Sequence, residues 1–323
     1  MVYMKQNSEQ LKCHECGKVF TSERALHCHI KVHNLTLAEY YVKNFQRKNK
    51  LTGELLPFKN KSEYFEKDFY NRSELIKWCN THGDKEEVKK YILSLLRSRI
   101  TSRSLSRGPS HLELKINSLP SLDCYLDHFE SYTEACDLAG VKPLFGRRLP
   151  VEFFEKIDME DMKIFIDTRE QQPLVFENQS SMKLDFGDYT SSGEYYDYTY
   201  VDRKSANDFI GTLSLNNIER FKREMERARQ MNSYLFIVVE ASLAKLESYM
   251  RAAKSKKFGP HKTNLKFIYH NMREIMHEFA GCCQFVFTGS RENSQDIIKR
   301  ILFFGRKIWN VDLQYYIDRH DLA

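Results

Sequence analysis

The sequence predicts a multidomain chain with a small ββα unit at the N terminus, a mainly helical middle and a C-terminal α/β domain built on a mixed central sheet. Three observations carry this reading. Residues 11–33 hold the densest group of cysteine and histidine, Cys13-x2-Cys16-x12-His29-x3-His33. Residues 35–96 read as short helices joined by aromatic, Lys-rich connections such as "SEYFEKDFYNRSELIKWCN". From Met162 onward, short apolar runs alternate with helical patterns, the rhythm of an α/β layer. These changes in pattern divide the chain into 1–34, 35–110, 111–150 and 160–323.

At 323 residues, 41% of them hydrophobic, the chain is long enough for several domains with their own cores. No apolar run approaches the roughly 18 residues of a membrane span, which leaves no membrane partner to expect. The start, "MVYMKQNSEQLK", lacks the apolar centre of a signal peptide, so an intracellular protein is expected. In a reducing compartment a tight Cys/His group points to a metal and not to disulfides. The formal net charge of +6 suits a nucleic-acid partner, although many basic proteins bind nothing acidic.

The N-terminal spacing is that of a tetrahedral zinc site. A hairpin offers the thiolates of Cys13 and Cys16, and a helix offers the imidazoles of His29 and His33 one turn apart. Phe20 and Leu26 supply the miniature core; His14, His27 and Cys28 are surplus to the ligand set. The stretch resembles the two-cysteine, two-histidine zinc finger family over residues 11–33, with Leu11 where an aromatic residue is usual. That family's docking geometry would turn Ser22, Ala25 and Cys28 toward base edges. None of these makes the bidentate contacts that discriminate guanine or adenine. An anchor on DNA and a protein-contact module both remain open readings.

Arg97, Arg99, Arg103 and Arg107 in "LRSRITSRSLSRGPS" read as a basic linker or a poorly packed helix end that contacts nucleic acid. A solvated connector is the alternative. The next stretch, "LPSLDCYLDHFESYTEACDLAGVKP", spaces Phe129, Tyr132, Ala135 and Ala139 as a helical core and stops at Gly140 and Pro143. It resembles the short helical repeat appended to HNH-type homing endonucleases, which would imply DNA binding beside a catalytic domain. A plain packing helix is the competing reading.

In the C-terminal domain "KIFID", "KLDF", "YTYVD", "YLFIVVE" and "CQFVFTG" are the expected strands. Helices are expected at 205–213, 216–231, 264–280 and 291–305. The second carries an apolar stripe, Ile218, Phe221, Met225 and Ala228, with arginines on its other faces.

Strand ends in this domain carry suggestive acids. Side chains alternate along a strand, so in "VDRK" Asp202 and Lys204 share a face and Arg203 points away. A loop of turn residues joins this strand to Gly187-Asp188 and can bring Asp188 beside Asp202 and Lys204. Carboxylates converging on one point hold the divalent ions that phosphodiester hydrolysis uses. The order of "FIDTREQQPLVF", "LDFGDY", "VDRKSANDFIGTL" and "IERFKREMERA" resembles the XPF-type nuclease domain over about residues 162–305. One departure is Asp202 where glutamate is usual.

That resemblance implies a restriction-endonuclease-like fold and a metal-dependent DNA endonuclease. It implies Asp188 and Asp202 as ligands to magnesium or manganese, Lys204 beside the water or phosphate, and Asp167 as a further acid. Arg169, Glu170, Arg203 and Asp208 would support the site, Arg220 would reach the DNA backbone, and a homodimer through this domain is a further implication. The tandem helix–hairpin–helix module that usually follows in that family is not recognised after residue 305. DNA engagement is therefore expected from the finger, the middle helices and "RAAKSKKFGPHK", whose Lys254, Lys256, Lys257 and Lys262 would neutralise phosphates. The HNH-like stretch favours a site-directed, homing-like or mobile-element enzyme. The alternatives are a structure-specific nuclease for branched DNA and a catalytically silent zinc-finger protein, with RNA an open substrate.

Overall fold

The structure is a computed structural model and describes residues 11–56, 67–116, 119–156, 158–248 and 264–321. The chain forms two compact units: Met1–Ser106 with Asn117–Val141, and Arg107–Ile116 with Lys142–Ala323. The stretch read as one segment over 111–150 is thus divided, and 107–116 is part of the C-terminal unit.

In the first unit the chain reverses at Gly17, whose φ of 74° suits glycine. The carbonyl of Cys13 accepts from Gly17 N (2.7 Å), and Cys13 N donates to the carbonyl of Lys18 (2.8 Å). The expected pair of strands shrinks to one bridge, Lys12 to Val19, so a full ββα arrangement is not formed. Helix Glu23–Ile30 follows, its first turn closed by the Ser22 hydroxyl accepting from Ala25 N, and it runs into the 3-10 turn Lys31–His33. Thr36 and Glu39 form a capping box that starts helix Leu37–Asn44. This helix buries Tyr40 and Tyr41 against Cys13, Leu26 and Ile30.

The arginine-rich stretch read as a linker or a helix end is helical as far as Arg103, and Arg107 lies beyond the helix. Lys85–Arg103 is a 19-residue helix, started by Asp84 accepting from Glu86 N and Glu87 N. Val88, Ile92, Leu96 and Ile100 recur at helical spacing and are buried, which overrides the polar run at its end. The next segment forms two short helices, Leu122–Leu126 and Tyr132–Leu138, in place of one continuous helical core. Ser131 interrupts them: its extended backbone and hydroxyl cap begin the second helix, leaving buried Phe129 in the turn.

The second unit is an α/β domain built on a mixed sheet. Its strands are β1 (Ile164–Asp167), β2 (Gln179–Met182), β3 (Tyr189–Ser191), β4 (Thr199–Lys204), β5 (Tyr234–Val239) and β6 (Cys283–Phe287). Their order is β2-β1-β3-β4-β5-β6. β3 is antiparallel to β1 and β4, and the other pairs are parallel. One expectation fails at the domain's start, and one strand was not foreseen. "KLDF" is a loop whose Leu184 and Phe186 fill the core, while the polar run Gln179–Met182 supplies the edge strand. Edge strands tolerate polar side chains because little packs on them.

Both faces of the sheet are covered, so β5 is buried throughout and reads as one apolar run. Leu235, Ile237 and Val239 join helices Ala206–Thr212, Ile218–Gln230 and Leu265–Glu278 in one core. Tyr234, Phe236 and Val238 join helices Arg291–Phe304 and Leu313–Arg319 in the other. The stripe Ile218, Phe221, Met225 and Ala228 is buried as its spacing predicts.

Candidate active site

Sheet register brings Asp188 to Asp202. In the antiparallel pair Tyr189 lies opposite Val201, so the next cross-strand positions are Asp188 and Asp202. Asp188 N donates to Val201 O (2.8 Å), and Arg203 N donates to Asp188 Oδ2 (2.8 Å). Gly187 permits this approach. Its φ is 56°, and a Cβ there would lie 2.6 Å from Val201 O.

Lys204 shares the face of Asp202, with Nζ 3.0 and 2.7 Å from its two carboxylate oxygens and 5.7 Å from the Phe221 ring centroid. Arg203 points to the other face, as strand alternation requires. There it pairs with Glu170 (3.1 Å) and Glu240 (2.8 Å) and donates to Gln172 O (2.9 Å). It acts as a tie beneath the site.

The electrostatics are those of crowded negative charge. Burial, followed by the Asp202 charge, pushes the Asp188 carboxyl up to about 8. Burial works against the Lys204 ammonium, yet Asp202 and Asp188 outweigh it and its pKa is raised. Glu224, on helix Ile218–Gln230, is raised by burial and then by Asp202. The sequence reading missed Glu224 because it sits among surface charges. Its signal was position: three residues after Phe221 and beside Met225, at the edge of the buried stripe.

Asp167, expected as a further acid at the site, lies at the end of β1 with its carboxylate engaged. Both oxygens are saturated: Arg169 donates its N (2.7 Å), Nε (2.7 Å) and Nη2 (2.9 Å), and Leu184 donates its N (2.7 Å). The Arg169 side chain, ahead of the backbone donors, holds this carboxyl down at about 2. Asp208 accepts the Ser205 hydroxyl (2.6 Å) at the exposed start of helix Ala206–Thr212, and Arg220 is exposed. Neither shares a hydrogen bond or ion pair with Asp188, Asp202 or Lys204.

The basic residues expected to meet phosphates are scattered. Arg97 is exposed and donates to Leu138 O (2.6 Å), and Arg103 is exposed in the last helical turn. Arg99 is buried, 9% exposed, and cannot reach a phosphate. Arg107 belongs to the second unit and donates to Pro143 O (3.5 Å). Lys254, Lys256, Lys257 and Lys262 lie outside the described residues.

Cys13, Cys16, His29 and His33 do converge. Their ligand atoms all lie within 4.8 Å of one another, with Cys16 Sγ to His29 Nε2 at 3.2 Å and Cys13 Sγ to His33 Nε2 at 3.5 Å. Two thiolates and two imidazoles at such separations fit a tetrahedral zinc ion. Among the described residues no other group of three or more such side chains is drawn together this tightly, the acids around Asp202 included. Surplus His27 faces the Tyr41 hydroxyl (3.0 Å), and His14 packs edge-on to Phe45.

Residues 154–301, just under half of the chain, match the family described as the ERCC4 domain. No curated protein matches the sequence. Two solved structures resemble it in part. One is XPF from Aeropyrum pernix in complex with DNA, with 17% identity, 43% of this chain and 62% of that chain covered, and a TM-score of 0.31. The other is XPF from Aeropyrum pernix, with 18% identity, 49% and 73% covered, and a TM-score of 0.32. The chain therefore spans less than two thirds of the first of these. Residues 154–301 are thus similar to the ERCC4 domain, and Cys13, Cys16, His29 and His33 form a cluster of zinc-site composition. The comparisons give no support to a repeat of the HNH-associated kind.

Proposed function

We propose that this chain is a divalent-metal-dependent DNA endonuclease acting on branched or junction-containing DNA. The observation that carries the reading is the cross-strand pair Asp188 and Asp202, with Lys204 on the same face, inside a domain of the ERCC4 type. Buried carboxylates side by side repel, and a hard cation relieves that repulsion. Magnesium or manganese on Asp188 and Asp202 would supply positive charge where the scissile phosphate develops negative charge.

The chain's own groups divide the remaining tasks. Lys204 faces that position from Asp202 and offers its ammonium to a phosphate oxygen or the attacking water. Arg203 fixes the strand end through Glu170 and Glu240. Asp167 and Arg169 secure the end of β1, and Glu224 adds a third acid from the neighbouring helix. Cys13, Cys16, His29 and His33 hold one structural zinc, and the exposed positions Ala25 and Cys28 leave the finger suited to anchoring more than to base reading. Ser22 is already committed to its helix cap.

A structure-directed cutter is favoured over the site-directed reading, since Ala25 and Cys28 on the finger are poor base readers and no homing-associated repeat is matched. The test is a panel of linear duplex, flap, splayed-arm and four-way DNA with magnesium or manganese, parent against Asp188→Asn. Cutting near branches by the parent alone is the expected result. Equal cutting by Asp188→Asn overturns the site assignment, and cutting of linear duplex at one fixed sequence overturns the branch reading.

A further inference from the structure

A cleft of about 570 Å³ opens at the other end of β4, lined among others by Tyr198, Arg229, Met231, Ser233, Arg306 and Trp309. Tyr198 precedes the first residue of β4 and Lys204 is the last, so roughly 20 Å of strand separates the cleft from the acidic site. It is distinct from the site above.

Its wall is a ladder of flat groups. Trp309 stacks on Tyr234 at 5.3 Å and 21°, its ring fixed by Nε1 donating to Thr199 Oγ1 (2.7 Å). The Arg306 guanidinium lies 4.7 Å from the Trp309 centroid and 5.5 Å from that of Tyr198. Tyr196 continues the series, 5.1 Å from Tyr198. The last two rungs reach water, with Tyr196 38% and Tyr198 45% exposed.

Two details set this apart from incidental surface aromatics. Tyr198 is held at φ 68°, a region that a bulky residue enters only when its surroundings impose it. Asp197 imposes it, accepting from Arg306 N (2.6 Å) and from the Thr199 hydroxyl (2.6 Å). The strained turn presents the Tyr198 ring beside the Arg306 guanidinium, while the Arg229 guanidinium lies over Phe279 on the cleft's lining. Arg229 pairs with Glu226 at its rim, and Arg306 makes no salt bridge with a carboxylate among the described residues.

We propose that this cleft binds a single-stranded nucleic-acid segment, with an unstacked base on Tyr198 and its phosphates at Arg229 and Arg306. Rings add a base to the open end of the ladder whatever its identity, and the arginines take the backbone. The choice of a DNA strand as occupant rests on the nuclease reading. At about 3.4 Å per nucleotide, the separation corresponds to an arm of about six nucleotides between the cleft and the cut.

The test is fluorescence anisotropy of labelled oligo-dT, and of an abasic strand of equal length, on the full chain without added magnesium. Oligo-dT should bind more tightly than the abasic strand. Tyr198→Ala should weaken oligo-dT about tenfold and leave the abasic strand unchanged, while Tyr198→Phe restores parental affinity. Arg229→Gln should flatten the log–log salt dependence for both strands by about 0.7. A thermal melt separates misfolding from lost contact, and if Tyr198→Ala does not fold, the dT-over-abasic preference of the parent decides. Equal affinity for the two strands, or undiminished dT binding by a folded Tyr198→Ala, overturns the proposal. Cutting of branched DNA is scored separately, so a chain that cuts yet shows no dT preference loses this cleft and keeps its nuclease assignment.

Discussion

Replacing Asp167 should cost stability and replacing Asp188 should not, although both acids lie at the same end of the sheet. Asp167 satisfies four donors, two of them backbone, and Asp167→Ala orphans the buried Leu184 N–H, so it should cost about 1–3 kcal/mol in urea unfolding. Asp188 is held in a repulsive place, so Asp188→Asn should leave the melting temperature equal or higher at pH 8 while nearly abolishing cleavage. The sign of the pH dependence follows. A carboxyl raised to about 8 contributes stability that is fully present below its unfolded value near 4 and is lost as pH rises toward 8. The metal-free parent should therefore lose stability across that window relative to Asp188→Asn. Added magnesium should raise the parent's melting temperature more at pH 8 than at pH 6, because the ion competes with the proton. A magnesium shift independent of pH would count against Asp188 as a ligand. Asp202→Glu should keep most activity and Asp202→Asn should lose it; equal cutting by both removes Asp202 from the metal.

Local chain geometry makes two further demands. Gly187→Ala places a Cβ against Val201 O and forces an alanine to φ 56°, so Asp188 must leave its register with Asp202. The expected loss is about 1–3 kcal/mol of stability together with a large fall in cleavage, read by thermal melt and plasmid nicking. Parental activity in that variant would remove the close approach from the argument. The zinc finger is larger than its motif. Tyr40 and Tyr41 complete the core around Cys13, Leu26 and Ile30, so Cys16→Ala should unfold residues 11–45 and not the spacing motif alone. Hydrogen exchange should show protection lost through helix Leu37–Asn44 and kept in β4 and β5. Protection persisting in Leu37–Asn44 would mean that this helix packs without the metal.

The whole molecule is divided in a way that affects how it can be cut. Arg107–Ile116 belongs to the nuclease unit: Leu112 and Leu114 are buried, Glu113 pairs with His277 (2.8 Å), and His111 and Lys115 both meet Asp318 (2.7 Å each). A fragment of 142–323 exposes the core that Leu112 joins. It should be less stable than a 107–323 fragment by about 1.5–3 kcal/mol, the contribution of one buried leucine. Equal denaturation midpoints for the two fragments would show that the segment merely rests on the surface.

Within the second unit, the sequence by itself determined four of the helices, the buried central strand and the shared face of Asp202 and Lys204, though not helices His111–Ile116 and Leu313–Arg319. Each is a property of local spacing: stripes at 3.6 residues, an unbroken apolar run, alternation at two. The four zinc-site residues were legible for the same reason, their intervals being set by one turn of hairpin and one of helix. The sequence also led one to expect Asp188 beside Asp202, and strand register set their cross-strand pairing; tertiary structure alone decided that Asp167 is saturated, that Glu224 joins the acids and that Arg99 is buried. It also decided that 107–116 packs with a domain whose other residues begin at Lys142. These outcomes depend on strand register and on neighbours distant in sequence. The charge of a side chain is written in the sequence, but whether it meets water, a donor or another charge depends on what the fold packs against it.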